Sequence, residues 1–455
     1  MRNSPPELPG SATTSDSPLD RALALLLAGE TEAALRWSAA VVEKDASVPS
    51  ALILTCRLLA TLGRAEAAVV GLELGMKRAI DAANLPLAVA AVADLRHLGT
   101  PVDVHLDAIA SAFCAGSPRL SDDSDVPPPP LQQFEEFQPL SSFLAGPALL
   151  SKAQKIIHDA AKEYEALEQS VPPLFAPLPL FSSLEKDGLR ALIAAFEMIT
   201  VSAGSPVIEE GEEGAEAYIV ARGELEVRRR VGESGHTQDL TLARLANGAL
   251  FGEMALLSRA PRAASVVACR PSILLVATRD ALEAVAEVRA DVGVELAAHC
   301  RRRMVANLVR TSPVLHMVPT EERKVLVDRF ETRVFEKGDK LITEGEEATG
   351  LHLIASGEVA VVGHEAGEPI VIATLPPGET VGEVALVLRR TPNADVVAIH
   401  PAVTLFLPKS EFMSLIQEHP AILHGLYMRA VQRDDETMSV LEGEPQSVTE
   451  DLILV

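Results

Sequence analysis

The sequence predicts an α+β multidomain protein, with an α-helical N-terminal region followed by two β-roll (jelly-roll) domains in tandem. Three observations predict it. Apolar residues recur at helical spacing from Leu19 to about Gly116, and from about Leu174 the period drops from 3.6 to 2. The glycines that punctuate the second part then occur twice, in the same order. The chain's 455 residues are too many for one core, and length alone suggests about three domains.

Residues 1–18 are rich in Pro, Ser and Thr and are expected to be disordered. Residues 19–116 form a helical, repeat-like domain. Leu19, Leu23, Leu26 and Leu27 share one helix face, and Leu54, Leu58, Leu59 and Leu62 share another. Leu25, Gly29, Ala33 and Ala34 recur 34 residues later as Leu59, Gly63, Ala67 and Ala68, with Leu98-Gly99 as a possible third copy. A period of 34 resembles that of tetratricopeptide helix pairs, although an ordinary helical bundle with a chance alignment gives the same pattern. Residues 117–147 are acidic and proline-rich, with Pro127 to Pro130 in a row, and read as a semi-rigid linker. A linker helix follows over 148–172.

Val207-Ile208, Tyr218-Ile219-Val220 and Leu225-Glu226-Val227 are short strand-type runs separated by glycines, the pattern of a sandwich or roll. Gly204, Gly211 and Gly223 reappear as Gly338, Gly345 and Gly357, an offset of 134, and Gly252-Glu253 reappears as Gly382-Glu383, an offset of 130. The first roll spans 174–309 and the second 310–430, with a loop four residues shorter between Gly357 and Gly382. Arg289 to Val309 read as a helix joining the two. Residues 431–455 form an acidic tail.

Composition excludes several function classes. A net charge of −24 repels phosphate backbones and anionic lipid, so no nucleic-acid and no membrane partner is expected. The four cysteines form no CxxC pair, the N-terminus lacks a signal-peptide pattern, and no apolar stretch is long enough to span a bilayer. A reduced, cytoplasmic protein is the expectation. The 11 histidines show no paired spacing, and neither a Walker loop nor a nucleophile elbow occurs, so no metal and no catalytic residue is assigned and the chain is not expected to be an enzyme.

The run FGEMALLSRAPRAASV, Phe251 to Val266, carries the most chemistry. A glycine permits close backbone approach, a short helix N-terminus offers donors, a carboxylate can accept from a sugar hydroxyl, and an arginine fork matches phosphate oxygens. With the repeated glycine-bounded strand pair, it resembles the phosphate-binding cassette of cyclic-nucleotide-binding domains, the family of the protein kinase A regulatory subunit and the catabolite activator protein. The resemblance covers roughly residues 174–425. It implies that Gly252 and Glu253 hold the ribose and that Arg262 sits on the phosphate oxygens. Met254 and Ala255 complete the turn together with Leu256 and Leu257, Ala263 and Ala264 keep the backbone accessible, and Ser265 adds a hydroxyl contact. In that family a hydroxyl residue after the arginine favours guanine. Ala263 stands there, which implies cyclic AMP as ligand rather than cyclic GMP, and a cyclic dinucleotide is a further alternative.

The second cassette, VGEVALVLRRTPNADVVA from Val381, keeps Gly382 and Glu383, but its arginine position reads as Asn393, followed by Ala394-Asp395. A like charge about 4 Å from a phosphate costs about 4 kcal/mol at an effective dielectric near 20. The second domain is therefore read as degenerate. The functional expectation is a receptor that signals occupancy of its first domain to an unknown protein partner through the helical region. The alternative is a ligand-independent scaffold built on degenerate nucleotide-binding folds.

Overall fold

The computed structural model describes residues 17–121, 137–167, 172–231, 238–256, 261–312, 329–365, 368–418, 420, 423–424, 426–428 and 430–433. The expected disorder at 1–16, the proline run, the opening of the second roll and the acidic tail beyond 433 lie outside the described residues. Ser17 and Pro18 already belong to the first helix, where the Ser17 hydroxyl accepts from the Asp20 N–H at 3.3 Å.

Six helices run in antiparallel succession: α1 (Pro18–Leu27), α2 (Thr31–Lys44), α3 (Pro49–Thr61), α4 (Ala65–Asp81), α5 (Leu85–His97) and α6 (Asp103–Phe113). The 34-residue spacing has a local cause. Glu30 N–H donates to Leu25 O and Arg64 N–H to Leu59 O, both at 2.8 Å, and Thr100 N–H donates to Leu95 O at 3.1 Å. The same helix-ending turn forms around a glycine at positive φ at Gly29, Gly63 and Gly99, and again around Ala83, where Asn84 N–H donates to Ala79 O at 2.8 Å, so it is not confined to the 34-residue spacing. A longer helix, α7 (Gly146–Leu167), packs across α2 and α4. The described ends of the expected linker also pack on the helices rather than leading away from them. Phe137 stacks on Trp37 at 6.2 Å, and Phe175, bridged to Leu120, lies 4.7 Å from Phe113.

A helix α8 (Lys186–Ala194) leads into eight strands: β1 (Glu197–Val201), β2 (Pro206–Ile208), β3 (Glu216–Arg222), β4 (Leu225–Val231), β5 (Gln238–Leu245), β6 (Leu250–Phe251), β7 (Ser265–Ala268) and β8 (Ser272–Thr278). They form two antiparallel sheets of order β1-β8-β3-β6 and β2-β7-β4-β5. Helices α9 (Arg279–Val288) and α10 (Ala290–Thr311) follow. The second roll has β9 (Glu331–Phe335), β10 (Lys340–Ile342), β11 (Gly350–Ser356), β12 (Val359–Glu365), β13 (Glu368–Leu375), β14 (Thr380–Val381), β15 (Asp395–Ala398) and β16 (Ala402–Pro408), with α11 (Glu383–Leu388) after β14 and α12 (Lys409–Glu418) at the end. Its sheets are β9-β16-β11-β14 and β10-β15-β12-β13, the first roll's order repeated strand for strand. Six residues separate β4 from β5 and two separate β12 from β13, which places the four-residue difference between the copies in this hairpin.

The two faces of the first roll's inner strands go to different cores. In β3, Tyr218 and Val220 point into the roll, whereas Ile219 and Ala221 join a core that runs through α1 to α7. Ile273, Leu275 and Ala277 of β8 join that same core, and α5 lies directly on β1, β3 and β8. The N-terminal helices and the first roll thus share one apolar interior. A buried ion pair ties them further: Arg222 of β3 donates to Asp20 of α1 at 2.6 Å, with Arg270 at 3.4 Å on the other carboxylate oxygen. In the second roll the corresponding outer face is covered by Met304 and Leu308 of α10 and by Phe412 and Leu415 of α12.

Two buried imidazoles make this fold acid-sensitive. His299 in α10 and His352 in β11 are pushed down from 6.5 to about 4, chiefly by burial and then by nearby arginines. Between pH 6.5 and 4 the unfolded chain binds protons that the native chain refuses, so stability is fully present above 6.5 and is lost as pH falls. Urea midpoints measured from pH 7 to pH 5 are expected to drop, and less steeply for His352→Gln. Parallel profiles for the two chains would contradict the assignment.

Candidate functional site

The cassette is built where β3 and β6 meet. Tyr218 pairs with Phe251 in the ladder and their rings stack at 5.2 Å, which fixes the entry to the next turn. Gly252 makes that turn at φ +74°, and a side chain there would sit 2.9 Å from Glu216 O. Two carbonyls, Glu216 O and Gly252 O, are thereby brought within reach of one guanidinium. Arg262 donates through Nη1 to Gly252 O and through Nη2 to Glu216 O, each at 2.9 Å, with the Glu216 carboxylate 3.4 Å away. The arginine side chain is only 8% exposed. Burial pushes its pKa down, against the opposing pull of Tyr218, Glu216 and Glu253. A buried cation is held here mainly by neutral carbonyls, an arrangement that favours the arrival of an anion.

Glu253 opens a four-residue 3-10 turn, Glu253–Leu256, rather than a full α-helix. Its side chain is 5% exposed and meets Arg303 Nε of α10 at 3.1 Å, while Arg303 Nη2 donates to Leu250 O at 3.2 Å. Met254 packs against the second roll's outer core beside Met304 and Leu308. Ala255 lies in the same turn, and residues 257–260, Leu257 among them, lie outside the described residues. Ala263 is exposed and Ala264 half-buried. The Ser265 hydroxyl accepts from Glu210 N–H at 2.9 Å and so braces the turn before Gly211.

Three participants were missed by sequence reasoning: Gly214, Glu216 and Arg303. A Cβ on Gly214 would lie 2.4 Å from Arg262 Nε, so glycine there makes room for the guanidinium. Arg303 did leave a signal. It recurs 130 residues later as Arg433, the same offset that relates Glu253 to Glu383, and Arg433 is indeed paired with Glu383.

The second cassette requires a correction. The residue equivalent to Arg262 is Pro392, not Asn393. Gly211 N–H donates to Arg262 O at 2.9 Å, and its counterpart Gly345 N–H donates to Pro392 O at 2.9 Å. The repeat runs without a gap through this stretch, and Asn393 answers to Ala263. The positions that serve the arginine have changed with it: Glu216 corresponds to Gly350 and Gly214 to Ala348. Asp395 stands where Ser265 does and takes over its role, accepting from Glu344 N–H at 2.8 Å. Burial works to raise the Asp395 carboxyl, but Lys340, at 2.6 Å, and this N–H hold it below the usual range. The carboxylate is therefore a brace with its own counter-ion, not simply a repulsive charge.

The Glu253–Arg303 pair is asymmetric, since Arg303 is 43% exposed and Glu253 is not. Arg303→Ala strands a buried carboxylate and is expected to cost about 3 kcal/mol in urea denaturation. Glu253→Gln leaves a cation that water can reach and is expected to cost about 1 kcal/mol. Equal losses would count against this reading of the pair.

Comparison with known proteins fits this geometry. The sequence profile described as cyclic nucleotide-binding domain matches residues 198–289 and 332–419. The cAMP-dependent protein kinase regulatory subunit of Yarrowia lipolytica is 32% identical over 260 residues, which cover 56% of this chain and 63% of the relative. The cAMP-dependent protein kinase type II regulatory subunit of Drosophila melanogaster is 29% identical over 238 residues, covering 52% and 59% respectively. The chain thus spans less than two thirds of the length of these curated relatives. Among solved structures, the regulatory domain of Toxoplasma gondii PKA with cAMP aligns at 26% identity and a TM-score of 0.28, covering 56% of this chain and 92% of that one. The repeated strand order, the repeated Gly-Glu turn and the two profile matches agree: the chain carries two cyclic nucleotide-binding domains in tandem.

Proposed function

We propose that the chain is a non-catalytic receptor for a cyclic nucleotide, cyclic AMP first, and that its first domain holds the ligand. The observation that carries this reading is Arg262, a buried guanidinium whose only carboxylate within salt-bridge distance among the described residues lies at 3.4 Å. A cyclic phosphate would supply the missing negative charge. Glu253 would accept from the 2′-hydroxyl while it stays tied to Arg303, and Gly252, Met254, Ala255, Ala263, Ala264 and Ser265 would shape the surrounding turn. Cyclic AMP is preferred over cyclic GMP because Ala263 offers no hydroxyl and because relatives such as the Yarrowia protein are named cAMP-dependent.

Signalling would start at the 3-10 turn. Glu253 and Met254 both contact α10 or the core beneath it, so an arrangement of this turn that binds ligand better would bias the position of α10. The partner is a protein that reads this change, and a protein kinase catalytic subunit is the first to test, given the names of the relatives. The four unpaired cysteines support a cytoplasmic location.

Isothermal titration of the full chain with cyclic AMP and cyclic GMP tests the receptor reading. Heat is expected from cyclic AMP at one site per chain, abolished in Arg262→Ala and unchanged in Asn393→Ala. Gly214→Ala should retain the fold yet weaken binding at least tenfold, because its methyl group displaces the guanidinium. A folded chain that gives no heat with either nucleotide is the outcome expected of the scaffold alternative and sinks the receptor reading.

A further inference from the structure

We propose that the second domain is itself a ligand site, for an uncharged nucleoside rather than for a nucleotide. A cavity of about 240 Å³ opens beneath its cassette. Its walls include Ile342, Val361 and Val396, the counterparts of Ile208, Val227 and Val266 in the first domain. The volume falls just below the roughly 300–1,000 Å³ of common small-molecule sites, so the occupant is compact.

The polar end of the cavity is formed by Glu383, Asn393 and Arg433. Glu383 is 1% exposed. One of its oxygens is bound by Arg433, while Oε2 has no hydrogen-bond partner among the described residues. A buried carboxylate oxygen without a donor is costly, and a ligand hydroxyl lining the same cavity satisfies it.

Charge decides what kind of ligand brings that hydroxyl. Arg433 is shared between Glu383 and Glu379, and Lys340 is engaged by Asp395. Pro392 occupies the place of the phosphate arginine, and Arg389 and Arg390 are exposed and do not line the cavity. Arg433 is thus the one cation among the described residues lining the cavity, and two carboxylates already engage it, which disfavours an anion and favours a neutral donor. Apolar walls suited to a flat base, with one acceptor at the position of the ribose carboxylate, describe a nucleoside without its phosphate.

The test uses the full chain carrying Arg262→Ala, which silences the first domain independently of the second. Adenosine, guanosine, inosine and uridine are titrated by calorimetry and thermal shift, with cyclic AMP as the charged comparator. At least one nucleoside is expected to bind at one site per chain and raise the melting temperature, with cyclic AMP at least tenfold weaker. Adding Val361→Phe, which fills the cavity and leaves the Glu383–Arg433 pair in place, should abolish the binding, and Glu383→Gln should weaken it at least tenfold. The proposal is overturned if no nucleoside binds, if binding survives Val361→Phe, or if cyclic AMP binds this chain as tightly. Failure of the first-domain reading is seen separately, as absence of cyclic AMP binding to the unmutated chain.

Discussion

A buried arginine must be given partners, and much of the first domain's cassette follows from that demand. Arg262 needs two carbonyls turned towards it, which requires the left-handed turn at Gly252, and it needs the space that Gly214 leaves open. It also needs one acidic neighbour close enough to moderate the cost of burial without neutralising it, which Glu216 provides at 3.4 Å. The second domain shows what happens when the demand is lifted. With Pro392 in the arginine's place, the acidic neighbour has become Gly350 and the space has been closed by Ala348. Three positions far apart in sequence have changed as one physical unit.

The glutamate of the cassette behaves differently, because it serves the architecture in both copies. Glu253 and Glu383 are each buried and each held by an arginine 50 residues further on, Arg303 from α10 and Arg433 from the C-terminal helical stretch. On the proposed reading a ligand hydroxyl and a helix would address the same carboxylate, which would link ligand chemistry to helix position in each domain.

Much of the fold was legible in the sequence because it is written in local terms. The change of period near Leu174, the recurring glycines and the 34-residue turn spacing all report backbone geometry that a residue and its near neighbours decide. The docking of the helices on the first roll was not read, although the signal was there. Ala217 to Ala221 and Ile273 to Ala277 are apolar almost without interruption, which marks strands covered on both faces. In the site, Glu253 and Arg262 stand out by type and spacing. Gly214, Glu216 and Arg303 do not, since each acts through a long-range contact that no local pattern encodes. The local likeness of Pro261-Arg262 to Pro392-Asn393 points to Asn393, whereas backbone register assigns Pro392 to the arginine's place.

The shared core of helices and first roll has a mechanical consequence. The face of β1, β3 and β8 that an isolated roll would offer to solvent is here spent on α5. Among the described residues, the β2-β7-β4-β5 sheet takes no part in that shared core. The helical half is joined to the first roll through a continuous apolar interior rather than a tether, so displacing one against the other would expose buried apolar surface to water.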